Sequence, residues 1–499
     1  MDTIRLLLDN AKRYPDKPAL FFADEVITFS QLRDNVFAVA DGLRQKGVLA
    51  GDRVGLYLPN CPEYVYSYLA LFCLRAVAVP LDFMLSREEL VNCLAHCRAK
   101  ALIAADKGGD FWQDISKDVP SLSEVVFTRG KDLFGRARAG SSEGALSGKL
   151  NAEGNADDLA LILYTSGSSG RPKGVMLSYR HLGASPRAMR YFVDLSDKDI
   201  KICCLPLSHS GGLVYIQNML SFALSLVLME RFSPLKFLGN IERYKVTCFH
   251  IVPSMYYAIL RLKQFEKYDL ATLRWVVVFG APSAAEDLRR FRRHCPQARL
   301  LNGWGLTETC PPNTVLPLDS DRIESVGLPA PWVEIRLVDE SGRDVKPGET
   351  GEIVLKSWVV MQGYYRNPED TREALRDGWF YTGDLGRFDA QGFLYIAGRR
   401  KDVIKVSGQL VYAPEVEAAL QSYPEISEAA VIGVADNLRG EAIKALVVGN
   451  NGAIKEDDLR EFCRRRLAHF KIPHYIEFVD NLPKTGSGKI DKGAIRRAT

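Results

Sequence analysis

A chain of 499 residues, 47% of them apolar, can bury large cores, and its length points to more than one domain. A net charge of +4 is small for this size and argues against a nucleic-acid partner. The ten cysteines include no Cys-x-x-Cys pair. Scattered among apolar residues, they read as buried free thiols of a reducing cytosol. Cys93, His96 and Cys97 have the spacing for a zinc site, but no second ligand pair follows.

The start, Met1-Asp-Thr-Ile-Arg, has no charged segment leading into an apolar core, so a signal peptide is not expected. Helical periodicity covers Ile4–Tyr14 and Phe29–Lys46, and Thr28-Phe-Ser-Gln31 has the spacing of a capping box. Arg53–Leu58 reads as a strand and Pro62–Leu74 as the helix after it, a βα alternation that implies parallel sheets covered by helices. Arg129–Asp157, rich in Gly, Ser, Ala and Lys, reads as a surface excursion. It delivers the chain to a buried strand, Leu159–Leu163.

The next segment, Tyr164-Thr-Ser-Gly-Ser-Ser-Gly-Arg-Pro-Lys-Gly174, is suited to polyphosphate. Gly167 and Gly170 let backbone approach an anion, Thr165, Ser166, Ser168 and Ser169 offer hydroxyl donors, and Lys173 adds a positive charge. It is not a Walker A loop, because Pro172 precedes the lysine and glycine follows it. A hydroxyl-rich surface linker is the alternative reading of the same composition.

A second alternating block runs from Ile202 to Phe279. Within it Leu213–Met229 is largely apolar but carries Gln217 and Asn218 and falls short of about 20 residues, so a buried helix and strand is expected rather than a membrane span. Near residue 400 the pattern changes. Gly398-Arg-Arg-Lys-Asp402 reads as a compact charged turn, followed by a helix over Ala413–Ser422, strands over Ala429–Gly433 and Ala442–Val448, and a helix over Glu456–Leu467. That is a small α+β domain behind a linker.

The glycine- and hydroxyl-rich run resembles the phosphate loop of the adenylate-forming superfamily, which comprises acyl- and aryl-CoA synthetases, peptide-synthetase adenylation domains and beetle luciferases. The family usually has threonines at Ser168 and Ser169. Six further segments follow in the family's order: Leu205-Pro-Leu-Ser-His209-Ser-Gly-Gly, Asn302-Gly-Trp-Gly-Leu-Thr-Glu308-Thr, Tyr381-Thr-Gly-Asp384-Leu-Gly, Gly398-Arg399-Arg-Lys401-Asp, Ile404-Lys405-Val-Ser407-Gly408 and Pro483-Lys-Thr-Gly-Ser-Gly-Lys489-Ile. The resemblance thus covers essentially the whole chain. It implies a large α/β N-terminal domain of two βα layers plus a small barrel-like region (about Ser325–Gly398), spanning residues 1–400, and a mobile α+β C-terminal domain, 401–499. The implied reaction joins a carboxylate to the α-phosphorus of ATP, releases pyrophosphate, and passes the acyl group to the thiol of coenzyme A.

By the same resemblance, Thr165, Ser166, Gly167, Ser168, Ser169, Gly170 and Lys173 would hold the phosphates, and Glu308, with Thr165, would bind Mg²⁺. Thr307 would contact the α-phosphate, and Gly303 would border the nucleotide. Trp304, where the family usually has tyrosine, would stack on adenine. Asp384 would accept the ribose hydroxyls and Arg399 would contact ribose and phosphate. Lys489, on a glycine loop, would bring its ammonium to the oxygen between carboxylate and phosphorus. A basic C-terminal tail is the plainer reading of Lys484, Lys489, Lys492 and Arg496. Lys401 matches the hinge about which the family rotates its small domain, and Lys405, Ser407 and Gly408 lie on the face that then meets coenzyme A.

His209 falls at the gate of the acyl pocket, although a histidine beside Leu205 and Leu207 also reads as a structural residue. Gly212, Gly280, Ala281, Pro282, Asn302 and Gly303 would line the acyl channel. The Leu-Ser-His-Ser segment carries no acid, which disfavours amino-acid activation. A medium-chain fatty, cyclic or aromatic acid is expected, in a cytoplasmic monomer or homodimer with no integral membrane segment. The alternatives are delivery of the adenylate to a carrier-protein thiol and a non-catalytic acyl or nucleotide sensor.

Overall fold

The computed structural model describes residues 2–128, 154–166, 172–262, 265–279, 285–317, 320–407, 409–436, 439–449, 454–485 and 489–499. The expected roles of Gly167, Ser168, Ser169, Gly170, Gly280, Ala281, Pro282 and Gly408, and most of the 129–157 excursion, lie outside those residues.

Among the described residues the first sheet has six strands. Arg53–Tyr57 pairs in parallel with Val77–Pro80 and Ala101–Ala104, and Val77–Pro80 leads to β1 (Leu159–Ser166), whose antiparallel partner is β2 (Pro172–Ser178). Thr165 on β1 stands opposite Lys173 on β2. The second sheet has nine strands and contains β3 (Ile200–Cys203), β4 (Cys248–Ile251), β5 (Trp275–Val278) and β6 (Arg299–Trp304) as parallel neighbours. Every residue of β4 and β5 is buried, as expected of strands covered on both faces. Helix α1 (Ser210–Phe222) follows His209 directly.

The largest apolar cluster joins both sheets through Phe29–Gln45, Pro62–Cys73 and α1. Thr28 closes the capping box with Gln31, as its spacing indicates. The third sheet, five-stranded and antiparallel, includes β7 (Trp379–Phe388) and β8 (Leu394–Arg399). The fourth contains β9 (Val403–Val406) with Gln409–Tyr412, Ile426–Asp436, Gly440–Gly449 and Tyr475–Phe478, packed on Ala413–Gln421 and Glu456–Arg464. A single 3₁₀ turn, Arg400–Asp402, joins β8 to β9. No described helix is long and apolar enough to cross a membrane.

Candidate active site

The C-terminal edge of the parallel strands carries the site, as open α/β sheets require. At the end of β6, Asn302, Gly303 and Trp304 are buried. A Cβ at Gly303 would lie 2.1 Å from Cε1 of Phe279, so a larger residue there would displace the phenyl ring. At Gly212 a Cβ would sit 2.2 Å from the carbonyl oxygen of Pro206, so α1 can leave the His209 turn closely only with glycine there.

Trp304 Nε1 donates to Asp384 Oδ2 at 2.9 Å. Asp384 pairs with Arg399 across β7 and β8, and Nε of Arg399 lies 2.9 Å from its Oδ1. That oxygen is buried and receives no aligned hydrogen bond, so it is an acceptor available to a hydroxyl. Asp384 raises the pKa of the Arg399 guanidinium.

Glu308 is half-buried on a 3₁₀ turn, Thr307–Thr309. Its Oε1 accepts from the Tyr364 hydroxyl at 3.1 Å. Burial raises its pKa, opposed by the Tyr364 bond and Arg399. The Thr307 hydroxyl lies 3.3 Å from that of Ser210, at the start of α1. Lys173 pairs with Asp370 at 2.9 Å and stands over the Tyr364 ring, 5.1 Å from its centroid. Asp370, Lys173, Tyr364 and Glu308 therefore form one continuous polar chain from the phosphate hairpin to the acid. Hydrogen bonding to Lys173 holds the Asp370 carboxyl below its ordinary pKa.

Among the described residues no three His, Cys, Asp or Glu side chains cluster tightly enough to enclose a metal. A lone carboxylate in a desolvated setting suits Mg²⁺, which takes one or two carboxylates and fills its remaining positions with phosphate oxygens and water. The donor set therefore fits an ion that arrives with a polyphosphate.

Lys489 comes from the far end of the chain. It is solvent-accessible, yet protein crowds its ammonium: burial lowers the pKa first and Arg399 second, while Asp384 and Glu308 pull the other way. The ammonium thus shares one electrostatic site with residues 308, 384 and 399. Lys405 and Ser407 are exposed on and beside β9, and the Lys405 backbone N–H donates to Glu441. Lys489 is thus the lysine that feels the charge of Glu308, while Lys405 lies exposed on β9 beside Glu441. Beside Lys401, Arg400 pairs with buried Glu352 at 3.0 Å, and Arg496 pairs with Asp402 at 2.7 Å. Burial and Arg399 both lower the pKa of Lys401.

His209 Nε2 lies 3.0 Å from Asp82 Oδ2. Burial alone would raise the Asp82 carboxyl, but hydrogen bonds to His209 and from the Met84 N–H hold it below the ordinary value. An acid therefore does reach the gate, from a distant segment. Sequence reading missed Asp82, Tyr364 and Asp370. No local motif marks them, since each contact joins positions far apart in the chain.

The whole arrangement is the fold of adenylate-forming CoA ligases, with a large N-terminal α/β part and a smaller C-terminal one. The chain belongs to the AMP-binding enzyme family, whose model matches residues 7–365; the AMP-binding enzyme C-terminal domain matches residues 415–489. A feruloyl-CoA synthase from an Amycolatopsis species is 36% identical over 494 residues, covering 98% of this chain and 97% of the relative. A long-chain-fatty-acid–CoA ligase of Bacillus subtilis is 31% identical, with 97% and 92% covered. Among solved structures, the anthranilate CoA ligase AuaEII in complex with anthranoyl-AMP superposes with a TM-score of 0.92 at 28% identity, over 99% of this chain and 96% of that one.

Proposed function

We propose that this AMP-forming acid–thiol ligase activates an aromatic or medium-length carboxylic acid and transfers it to coenzyme A. A carboxylate oxygen attacks the α-phosphorus of ATP, the α–β bridging bond breaks, and pyrophosphate leaves with the electron pair. The thiolate of coenzyme A then attacks the acyl carbon, and AMP departs. Two anions meet in the first step, so catalysis consists of positioning and charge compensation. The observation that carries the reading is the Trp304–Asp384–Arg399 cluster at the end of the parallel strands, whose charges act on Lys489 from the far end of the chain.

In this reading Thr165, Ser166 and Lys173 hold the β- and γ-phosphates together with the loop from Gly167 to Gly170, and Thr307 contacts the α-phosphate. Asp384 and Arg399 hold the ribose, and the Trp304 indole flanks adenine. Glu308 would hold Mg²⁺, which would supply charge neutralisation on the phosphates. Lys489 stabilises charge at the oxygen joining carboxylate to phosphorus. Residues 1–400 serve as the binding platform and 401–499 as a lid that turns about Lys401, exchanging Lys489 for Lys405, Ser407 and Gly408. The ten free thiols, most of them buried, suit a reducing cytoplasm.

The feruloyl and anthranilate relatives support an aryl acid. So does the run of packed rings Phe279, His250 and Tyr215 beneath Gly303. The test is pyrophosphate release across short, medium, long, cyclic and aromatic acids, with and without coenzyme A. Turnover that requires coenzyme A supports the reading and names the acyl class. Release that stops near one enzyme equivalent at every coenzyme A concentration overturns the acceptor in favour of a carrier protein.

A further inference from the structure

Behind the gate, the face of β3, β4 and β5 that packs on α1 carries an unusual set of side chains. Lys201 stands opposite Cys248, and Cys248 opposite Trp275. Two residues along β4, on the same face, is His250. Lys201 is fully buried, with its ammonium 4.8 Å from the Tyr215 ring centroid and 5.3 Å from that of Trp275. The Tyr215 ring lies 4.0 Å from the His250 ring, and its hydroxyl pins the His250 backbone at both N–H and carbonyl. Asn218 is one helical turn further along α1 and fully buried.

Ten buried side-chain nitrogen or oxygen atoms lack a hydrogen-bond partner among the described residues, and six belong to this cluster. They are Lys201 Nζ, both ring nitrogens of His250, both amide atoms of Asn218 and the Trp275 indole nitrogen. Each costs stability while unsatisfied. Desolvation pushes the Lys201 pKa down to about 8.

The cluster lies on the same face of the sheet as Phe279 and Gly303. Trp275 pairs with Arg299 and, on the same face, Val277 with Leu301, so the lysine level lies four residues, roughly 13 Å, below Gly303. Phe279 bridges the interval: it occupies the space above Gly303, and its ring lies 6.1 Å from that of His250. Donors predominate in the cluster, with three on the ammonium, two on the amide, and one each on indole and neutral imidazole. Such a set selects for an oxygen acceptor and against a cationic tail.

We propose that Lys201, Asn218, His250 and Trp275 form the distal end of the acyl site and select carboxylic acids whose far end carries an acceptor oxygen. The oxygen is either a ring hydroxyl or a second carboxylate, and both offer the same chemistry to the cluster. The proposal rests on the acid-activating reading above.

Two matched pairs of acids test it: para-hydroxycinnamate against cinnamate, and octanedioate against octanoate. The kcat/KM for pyrophosphate release with ATP, and the calorimetric affinity with non-cleavable α,β-methylene-ATP, are read on the full chain and on its Lys201→Met and Asn218→Leu variants. We expect the oxygen-bearing member of one pair to be preferred by on the order of a hundredfold or more. The pair that shows it tells the hydroxyl from the carboxylate. Lys201→Met should reduce that ratio at least about tenfold, and Asn218→Leu carries the same test should the lysine variant not fold. Ratios near one in both pairs, or ratios unchanged in a folded variant, overturn the subsite. Absence of pyrophosphate release with every acid, while calorimetry still shows the preference, overturns the ligase reading and leaves the subsite standing.

Discussion

Trp304 and Asp384 are joined by a hydrogen bond of 2.9 Å from indole nitrogen to carboxylate. The residue proposed to flank adenine thereby orients the residue proposed to hold ribose. A ring too wide for a mere copy of tyrosine thus has a second use, fixing the carboxylate before nucleotide arrives. Trp304→Phe keeps an aromatic face and removes the donor. The expected result is a KM for ATP raised by about tenfold or more with kcat little changed, because hydrogen bonds to charged groups contribute about 1.5–3 kcal/mol. Steady-state kinetics with varied ATP checks it.

Lys489→Ala should lower acyl-adenylate formation by at least a hundredfold while ATP binding persists. The measurement is single-turnover adenylation beside equilibrium nucleotide binding. Lys405→Ala should slow thioester formation from preformed acyl-adenylate more than it slows adenylation. Equal losses in both half-reactions would count against the turning lid.

Tyr364→Phe removes the hydroxyl that helps keep Glu308 ionised. Burial already raises this carboxyl, so losing the donor raises it further. At a given acidic pH less of Glu308 is then ionised, and the acid limb of the kcat/KM profile should move to higher pH. The Mg²⁺ concentration for half-maximal rate should rise with it. An unmoved acid limb would remove Glu308 from the ionisations that govern activity.

Lys201→Met should stabilise the fold below pH 8 and stabilise it less as the pH rises. The folded lysine titrates near 8 and the unfolded one near 10.5, so between those values the unfolded chain binds the extra proton and wild-type stability gains. The gap between variant and wild type should narrow by up to about 3 kcal/mol across that window. Paired urea titrations at pH 7.5 and pH 10 measure it, and taking the difference cancels the buried cysteines, which titrate in both proteins.

Local signals were easy to read. The Thr28 capping box, the strand before the phosphate hairpin and the helix that follows Tyr412 each need only a few neighbouring residues to be specified. Lys201 was hidden for the opposite reason. A lysine in a strand usually marks a solvent-facing side, but β3 is central, with both faces covered, so period-2 alternation carries no information there. Asp82 at His209, Asp370 at Lys173 and Tyr364 at Glu308 are tertiary meetings, and only folding reveals such partners. The ordered motifs still marked Trp304, Asp384 and Arg399, which the fold joins through hydrogen-bond and ion-pair contacts, because each motif supplies backbone shape and functional group together.

The single turn Arg400–Asp402 divides the site between two stretches of chain. Asp384 and Arg399 precede it, and Lys489 follows it. A nick within that turn would therefore separate proposed recognition from proposed reactivity: the first fragment would keep Asp384 and Arg399, and the second would carry away Lys489. Adding the second fragment back would restore turnover only as fast as the two pieces met. A protease cutting here would turn a catalyst into a nucleotide trap.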